Sequence, residues 1–180
     1  ESGIPLHGFA MSGLNGDQPF STIIFFNGGL GARPNEDGVS TLSFPTNVST
    51  TPVEVLERGA PVRIVEKTYL PGSGGTGQYR GGLGQRVAME ITSDSPVTLS
   101  ILSQRLNYPP RGRNGGENGS LERILLNGQE IEGSVPLTLH KGDLITLELP
   151  GGGGFGVAED RDPELVVADL ADGRVGELRF

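Results

Sequence analysis

Residues 69–85 read YLPGSGGTGQYRGGLGQ, and seven of these seventeen residues are glycine. Each glycine costs backbone entropy on folding, so this density needs a purpose: a phosphate cradle, a set of tight turns, or room for another chain or ligand to come close. Gly72 to Gly77 satisfies G-x-G-x-x-G after a strand-like run. A dinucleotide fingerprint also needs a helix to begin there, so that its first N–H groups meet the pyrophosphate. The continuation Gln78-Tyr79-Arg80-Gly81-Gly82-Leu83-Gly84 cannot start a helix, and no Lys-Ser/Thr pair follows as a phosphate loop requires. The segment is expected to join two strands, VRIVEKTYL (62–70) and QRVAMEIT (85–92), as the connection of a hairpin.

Outward from this connection the chain keeps a β rhythm. FSTIIFF (20–26) and VTLSILSQRL (97–106) predict strands, with the loop NGGLGARPNEDG after the first. LERILLNGQEI (121–131) predicts a hairpin around Asn127-Gly128, and VPLTLHKGDLITLELP (135–150) a second one turning near Lys141-Gly142-Asp143. Two short helices are expected. One runs from Pro52 to about Arg58, with Thr51 as N-cap, Glu54 closing a capping box and Gly59 as the stop. The other spans 162–172, capped by Asp162, with Pro163 and Glu164 in its first turn and Gly173 beyond its end; Leu165, Val166 and Leu170 form its apolar stripe. The fold class is mainly β: an antiparallel β-barrel or sandwich with glycine-rich loops, one short internal helix and a short C-terminal helix, in a single domain over 1–180.

Composition narrows the function classes. Glycine (30) and proline (13) are abundant in 180 residues, yet the apolar runs are sufficient for a core. A formal charge of −8 repels nucleic acid and anionic membranes. The absence of cysteine removes disulfides, thiolate metal sites and thiol nucleophiles, and suits a reducing, cytoplasmic compartment. No apolar run reaches the ~20 residues of a membrane span, and no leader-like segment opens the chain. The sequons at Asn47 and Asn118 therefore carry no glycosylation expectation. An opening at ESGIPLHGF without methionine suggests an excised piece of a longer polypeptide.

The chemistry-bearing residues are sparse. GGGGFG (151–156) repeats the glycine fingerprint, but the next helix starts six residues late and leaves no room for a second parallel strand. His7 and His140 lack a carboxylate or second histidine at ligand spacing, so no metal site is expected within this chain. Glu54 and Glu57, three apart on the short helix, could share proton work or simply cap and solvate it. Arg80, Arg86, Arg105, Arg111 and Arg113 flank glycine loops and could hold a carboxylate or phosphate, or balance an acidic chain. With no tryptophan and three tyrosines, a sugar-binding platform is disfavoured.

Taken in order, NGGLGARPNEDGVST, FPTNVSTTPVEVLE, YLPGSGGTGQYRGGLGQ, SQRLNYPPRGRNGGENG, KGDLITLELPGGGGFG and EDRDPELVVADL resemble the C-terminal part of the hydantoinase B / oxoprolinase family, over about Phe20 to Leu170. The resemblance implies an ATP-dependent cyclic-amide hydrolase, of N-methylhydantoinase or 5-oxoprolinase type, or a related acetone or acetophenone carboxylase. It implies a hydantoinase A-type partner of ATPase fold that uses ATP and Mg, a small cyclic amide as substrate, and a divalent metal held by an N-terminal part of the B-type subunit that these residues lack. The chain would then hold no cofactor and be inactive alone. The shared positions include Asn47, Pro52, Glu54, Glu57, Tyr79, Arg80, Arg105 and Gly151–Gly156; Glu54, Glu57, Arg80 and Arg105 are the catalytic candidates. The glycine loops are expected to gather at one end of the β domain, facing the rest of the subunit or its partner. Arg80→Ala is expected to lower activity with stability nearly unchanged. The alternative is a purely structural assembly domain of a heteromeric hydrolase or carboxylase.

Overall fold

Period-two alternation does most of the building. In β1 (His7–Asn15) Phe9 and Met11 are buried, and in the neighbouring β2 (Gln18–Phe26) Ile24 and Phe26 are. A tight turn at Gly16, with φ at +62°, joins the two. The computed structural model describes residues 1–4, 7–44, 46, 48–132 and 136–175, so Asn47 lies outside the described residues. After α1 (Val53–Gly59) come β3 (Val62–Tyr69), β4 (Gln85–Ile91), β5 (Val97–Ile101), β6 (Arg123–Leu126), β7 (Gln129–Glu130), β8 (Leu137–Leu139) and β9 (Leu144–Glu148); α2 (Pro163–Ala171) follows.

These strands form two antiparallel sheets, ordered β2-β1-β5-β8 and β3-β4-β9-β6-β7. They pack face to face as a sandwich, without closing into a barrel. The shared core holds Phe9, Phe26, Met89, Leu99, Ile145 and Leu147, all with essentially no exposed surface. The outer face of the second sheet is a ladder of ion pairs. Arg86 bonds Glu66 at 3.1 Å and Glu148 at 2.6 Å, and Arg123 bonds Glu148 at 3.1 Å and Glu130 at 3.0 Å.

The expected hairpin of β3 and β4 is present, with a bulge between Ile64 and Glu66, as is the Asn127-Gly128 turn of β6 and β7. Three expectations need correction. The chain does turn at Gly142, but β8 pairs with β5 and β9 with β4 and β6, so the turn crosses between sheets. The strand beginning at Val97 ends at Ile101, not near 106. α1 has no side-chain cap: Pro52 itself occupies the N-cap position, and its carbonyl accepts from Val55 and Leu56.

Strand register places the ends of β2, β3, β5 and β9 and the starts of β1, β4 and β6 at one end of the sandwich. There the glycine-rich segments form a layer of extended chains bonded through their backbones. Gly152 N–H donates to the Gly82 carbonyl, Gly82 N–H to Leu30, and Gly75 N–H to Gly152, each at 2.8 Å. A Cβ on Gly152 would overlap the Leu30 carbonyl, and one on Gly82 the Val39 carbonyl, so no side chain fits between these strands. A Gly152→Ala substitution should therefore cost more than about 3 kcal/mol, because the obstructing atoms are backbone. Gly59→Ala, with open space at its Cβ position, should be neutral or stabilising by about 0.5–1 kcal/mol. Urea unfolding of the two variants checks the contrast, and a soluble, equally stable Gly152→Ala protein would refute it.

Candidate functional site

The loop after β3 delivers Arg80 to the interior, and α2 delivers Asp169 to meet it. Both are 4% exposed. Arg80 Nε donates to Asp169 Oδ2 at 3.1 Å, and its Nη1 to the Gly81 carbonyl at 2.6 Å. Arg161 closes the group: it bonds both Asp37 oxygens at 2.8 Å and Asp169 Oδ2 at 2.7 Å. Partial burial alone would raise the Asp37 pKa. The Arg161 hydrogen bonds, the Arg80 N–H and both guanidinium charges outweigh it and hold the carboxyl below its usual range.

α2 starts as its sequence demands. The Asp162 side chain accepts from Glu164 N–H, Pro163 follows, and Gly173 turns the chain with φ at +63°. Its expected apolar stripe is not its buried face. Leu165, Val166 and Leu170 are each at least two-fifths exposed, and the buried residue is Asp169. The reason is the surface that receives the helix, which offers arginines and glycine backbone in place of apolar side chains. Between α2 and the loop lies a cavity of about 250 Å³, bordered by Thr76, Arg80, Arg161, Val166, Asp169 and Leu170. Arg80 and Arg161 at its border are already paired with Asp169 and Asp37, and the rest of its wall is largely apolar.

The glycine fingerprints are committed to different degrees, the 151–156 run fully and the 72–77 run at three of its six N–H groups. Every N–H from Gly151 to Gly156 donates within the chain, to Ser120 Oγ and to the carbonyls of Gly82, Glu1, Glu117, Tyr79 and Arg113 in turn. In the other fingerprint Gly72, Ser73 and Gly75 donate to Arg174, Leu70 and Gly152. A phosphate would have to displace these bonds.

The remaining candidates stand apart. Arg105 donates to the Ser2 carbonyl at 3.2 Å and lies 3.5 Å from Glu1. Glu57 accepts from Ile64 N–H at 2.8 Å, tying α1 to β3, and Glu54 is exposed in the helix's first turn. Among the described residues Glu54, Glu57, Arg80 and Arg105 share no partner. No group of three or more His, Cys, Asp or Glu side chains is placed to hold a metal ion among the described residues.

One pair has no counterpart in the sequence reasoning. His7 Nε2 lies 3.1 Å from Glu122 Oε1, both side chains fully buried, with the imidazole 4.4 Å from the Phe9 ring. Glu122 also accepts from Gln104 N–H at 3.2 Å. Burial pushes the imidazole down to about 4 and raises the Glu122 pKa against its backbone donors. The two residues are far apart in the chain. The available signal was His7 falling in phase with the inward residues Phe9 and Met11.

The family model described as Hydantoinase B/oxoprolinase matches residues 2–158. The chain belongs to that family. It is 37% identical over 129 residues to the uncharacterized protein MJ0963 of Methanocaldococcus jannaschii, covering 69% of this chain and 23% of that one. It is 37% identical over 147 residues to a 5-oxoprolinase of Dictyostelium discoideum, covering 78% of this chain and 12% of the other. In fold it matches the ATP-dependent caprolactamase from Pseudomonas jessenii, with a TM-score of 0.77 at 19% identity, over 97% of this chain and 33% of that one. The chain thus spans less than a quarter of the length of the two sequence relatives.

Two outcomes follow from the buried groups. Arg80→Ala removes one of the two guanidinium partners of buried Asp169 and leaves Arg161, so it should destabilise the protein by about 1–3 kcal/mol. That replaces the expectation of unchanged stability, and an unaltered urea midpoint would contradict it. For His7, the unfolded imidazole binds a proton below about pH 6.5 while the folded one resists until about 4. The unfolded state holds more protons in that window, so His7 removes up to about 3 kcal/mol as pH falls through it. Glu122 acts in the opposite sense, because its raised folded pKa adds stability at low pH that is lost as pH rises. Titration of the His7 ring by NMR should place its midpoint near 4, and an ordinary histidine midpoint would defeat the assignment.

Proposed function

We propose that these residues form a domain of an ATP-dependent cyclic-amide hydrolase of the hydantoinase/5-oxoprolinase type, serving it through assembly and leaving the reacting groups to other parts of the enzyme. The observation that carries the assembly role is the consumption of the Gly151–Gly156 amides and of Arg80 and Arg161 by partners within the chain. The hydrolase class is supported by family membership and the likeness to a 5-oxoprolinase. ATP and Mg²⁺ then belong to a hydantoinase A-type partner of ATPase fold. A divalent metal belongs to a part of the B-type polypeptide outside these residues, and ring opening of a small cyclic amide takes place there. A chain without cysteine suits the reducing cytoplasm for such an enzyme.

The test is ATP-dependent hydrolysis of 5-oxoproline and a panel of hydantoins by the full B-type polypeptide with its A-type partner, following ring-opened product and phosphate. Turnover should require both. Arg105→Ala, at a side chain 27% exposed, should keep kcat within about twofold in the assembled complex, because changes away from the chemistry are usually mild. A folded, assembled Arg105→Ala complex with kcat lost would instead assign this domain a direct part in ring opening. Absence of ATP-coupled hydrolysis across the panel would remove the hydrolase assignment.

A further inference from the structure

The two sheets differ in charge. Not one residue of β1, β2, β5 or β8 is Asp, Glu, Lys or Arg, whereas the other sheet carries Arg63, Glu66, Arg86, Glu90, Arg123 and Glu148 among others. An antiparallel sheet with one wet face normally alternates apolar inward and polar or charged outward, as β3 and β4 do. The uncharged sheet keeps the alternation with small polar residues, Ser12, Ser21, Thr98 and Ser100, but has no charge on either face. Its outer face presents Ile23 (59% exposed), Phe25 (42%) and, just past β5, Leu102 (64%). Phe25 and Leu102 flank Gly8, and Ile23 pairs with Ala10, so these side chains form a continuous apolar strip.

The sheet edges tell the same story. β8 and β7 are three and two residues long, and β3 carries a bulge with Arg63, Glu66 and Lys67. Each is a recognised way of blunting an edge. β2 is nine residues long, with no charge, and its Pro19 stands only at the start. Among the described edge strands it is the longest and it carries no charge, although α1 packs against it.

We infer that the outer face of β2-β1-β5, centred on Ile23 and Phe25, is covered in the native enzyme by an uncharged, apolar protein surface from the part of the family-length polypeptide that lies outside these residues. Two facts choose this occupant. The matched relatives carry this region as 23% and 12% of much longer chains, so ample covering polypeptide exists in the family. A second copy would bring another net charge of −8 against the first, which opposes self-association. The inference rests on the proposal that these residues are a domain of a larger enzyme.

The experiment uses the full-length polypeptide carrying an Ile23→Cys substitution. These residues contain no cysteine, so a maleimide adduct mapped to them reports the introduced thiol alone. Labelling in native buffer should be more than about tenfold slower than in urea, the protection expected of a covered site. A rate within that factor overturns the inference. Protection that disappears on dilution, together with a dimer by light scattering, assigns the face to a second copy and also overturns it. Amide exchange over residues 18–26 in the unsubstituted polypeptide is the second readout, with slow exchange expected and fast exchange contradicting the cover. The intact mass reports separately whether the polypeptide extends beyond these residues. A product that ends with them defeats the larger-enzyme reading and the inference with it; fast labelling in a longer product defeats the covered face alone.

Discussion

Direct contact between backbones, at positions where no Cβ can exist, is the constraint on which this molecule depends. At Gly82 and Gly152 the neighbouring carbonyls occupy the space a side chain would need. The gain is a dense set of hydrogen bonds between segments that belong to no regular sheet. Every amide of Gly151–Gly156 and three of the six in Gly72–Gly77 are donors already in use, so these motifs help hold the domain together.

The four-membered ionic group follows from that layer. A surface of glycine backbone has no apolar side chains to receive a helix, so α2 is located by Asp169 against Arg80 and Arg161. A buried ionic group of this kind contributes little net stability compared with an apolar contact of equal size, but its geometry is exacting. It fixes the position of α2, and it joins residues 37, 80 and the 161–169 segment from three separate stretches of the chain.

Much of the fold was legible because alternation and turn chemistry are local. The β3–β4 hairpin, the Asn127-Gly128 turn and the Asp162-Pro163 start of α2 all follow from neighbouring residues. β1 was not read, because Gly8 and Gly13 dilute its pattern and its tight turn sits on a lone Gly16. The turn at Gly142 was read, but nothing local says that β8 and β9 part to opposite sheets. The candidate site was less legible still. Arg80 stood out by its glycine neighbours, yet its partners Asp37 and Asp169 are remote in sequence, as is Glu122 from His7. Burial and pairing are tertiary properties, and they decide whether an arginine meets a ligand or a carboxylate of its own chain.

The reach of the glycine layer also governs when it can form. Gly153 bonds Glu1, and Gly72 bonds Arg174, so the layer ties nearly the whole length of the chain together. Hairpins such as β3–β4 can close early, since their loops are short; the layer must wait for segments from both ends. During synthesis the first residues therefore emerge long before the backbone that will bind them. The layer is then the keystone of the domain in time as well as in space, since it closes only when segments distant in sequence are all present.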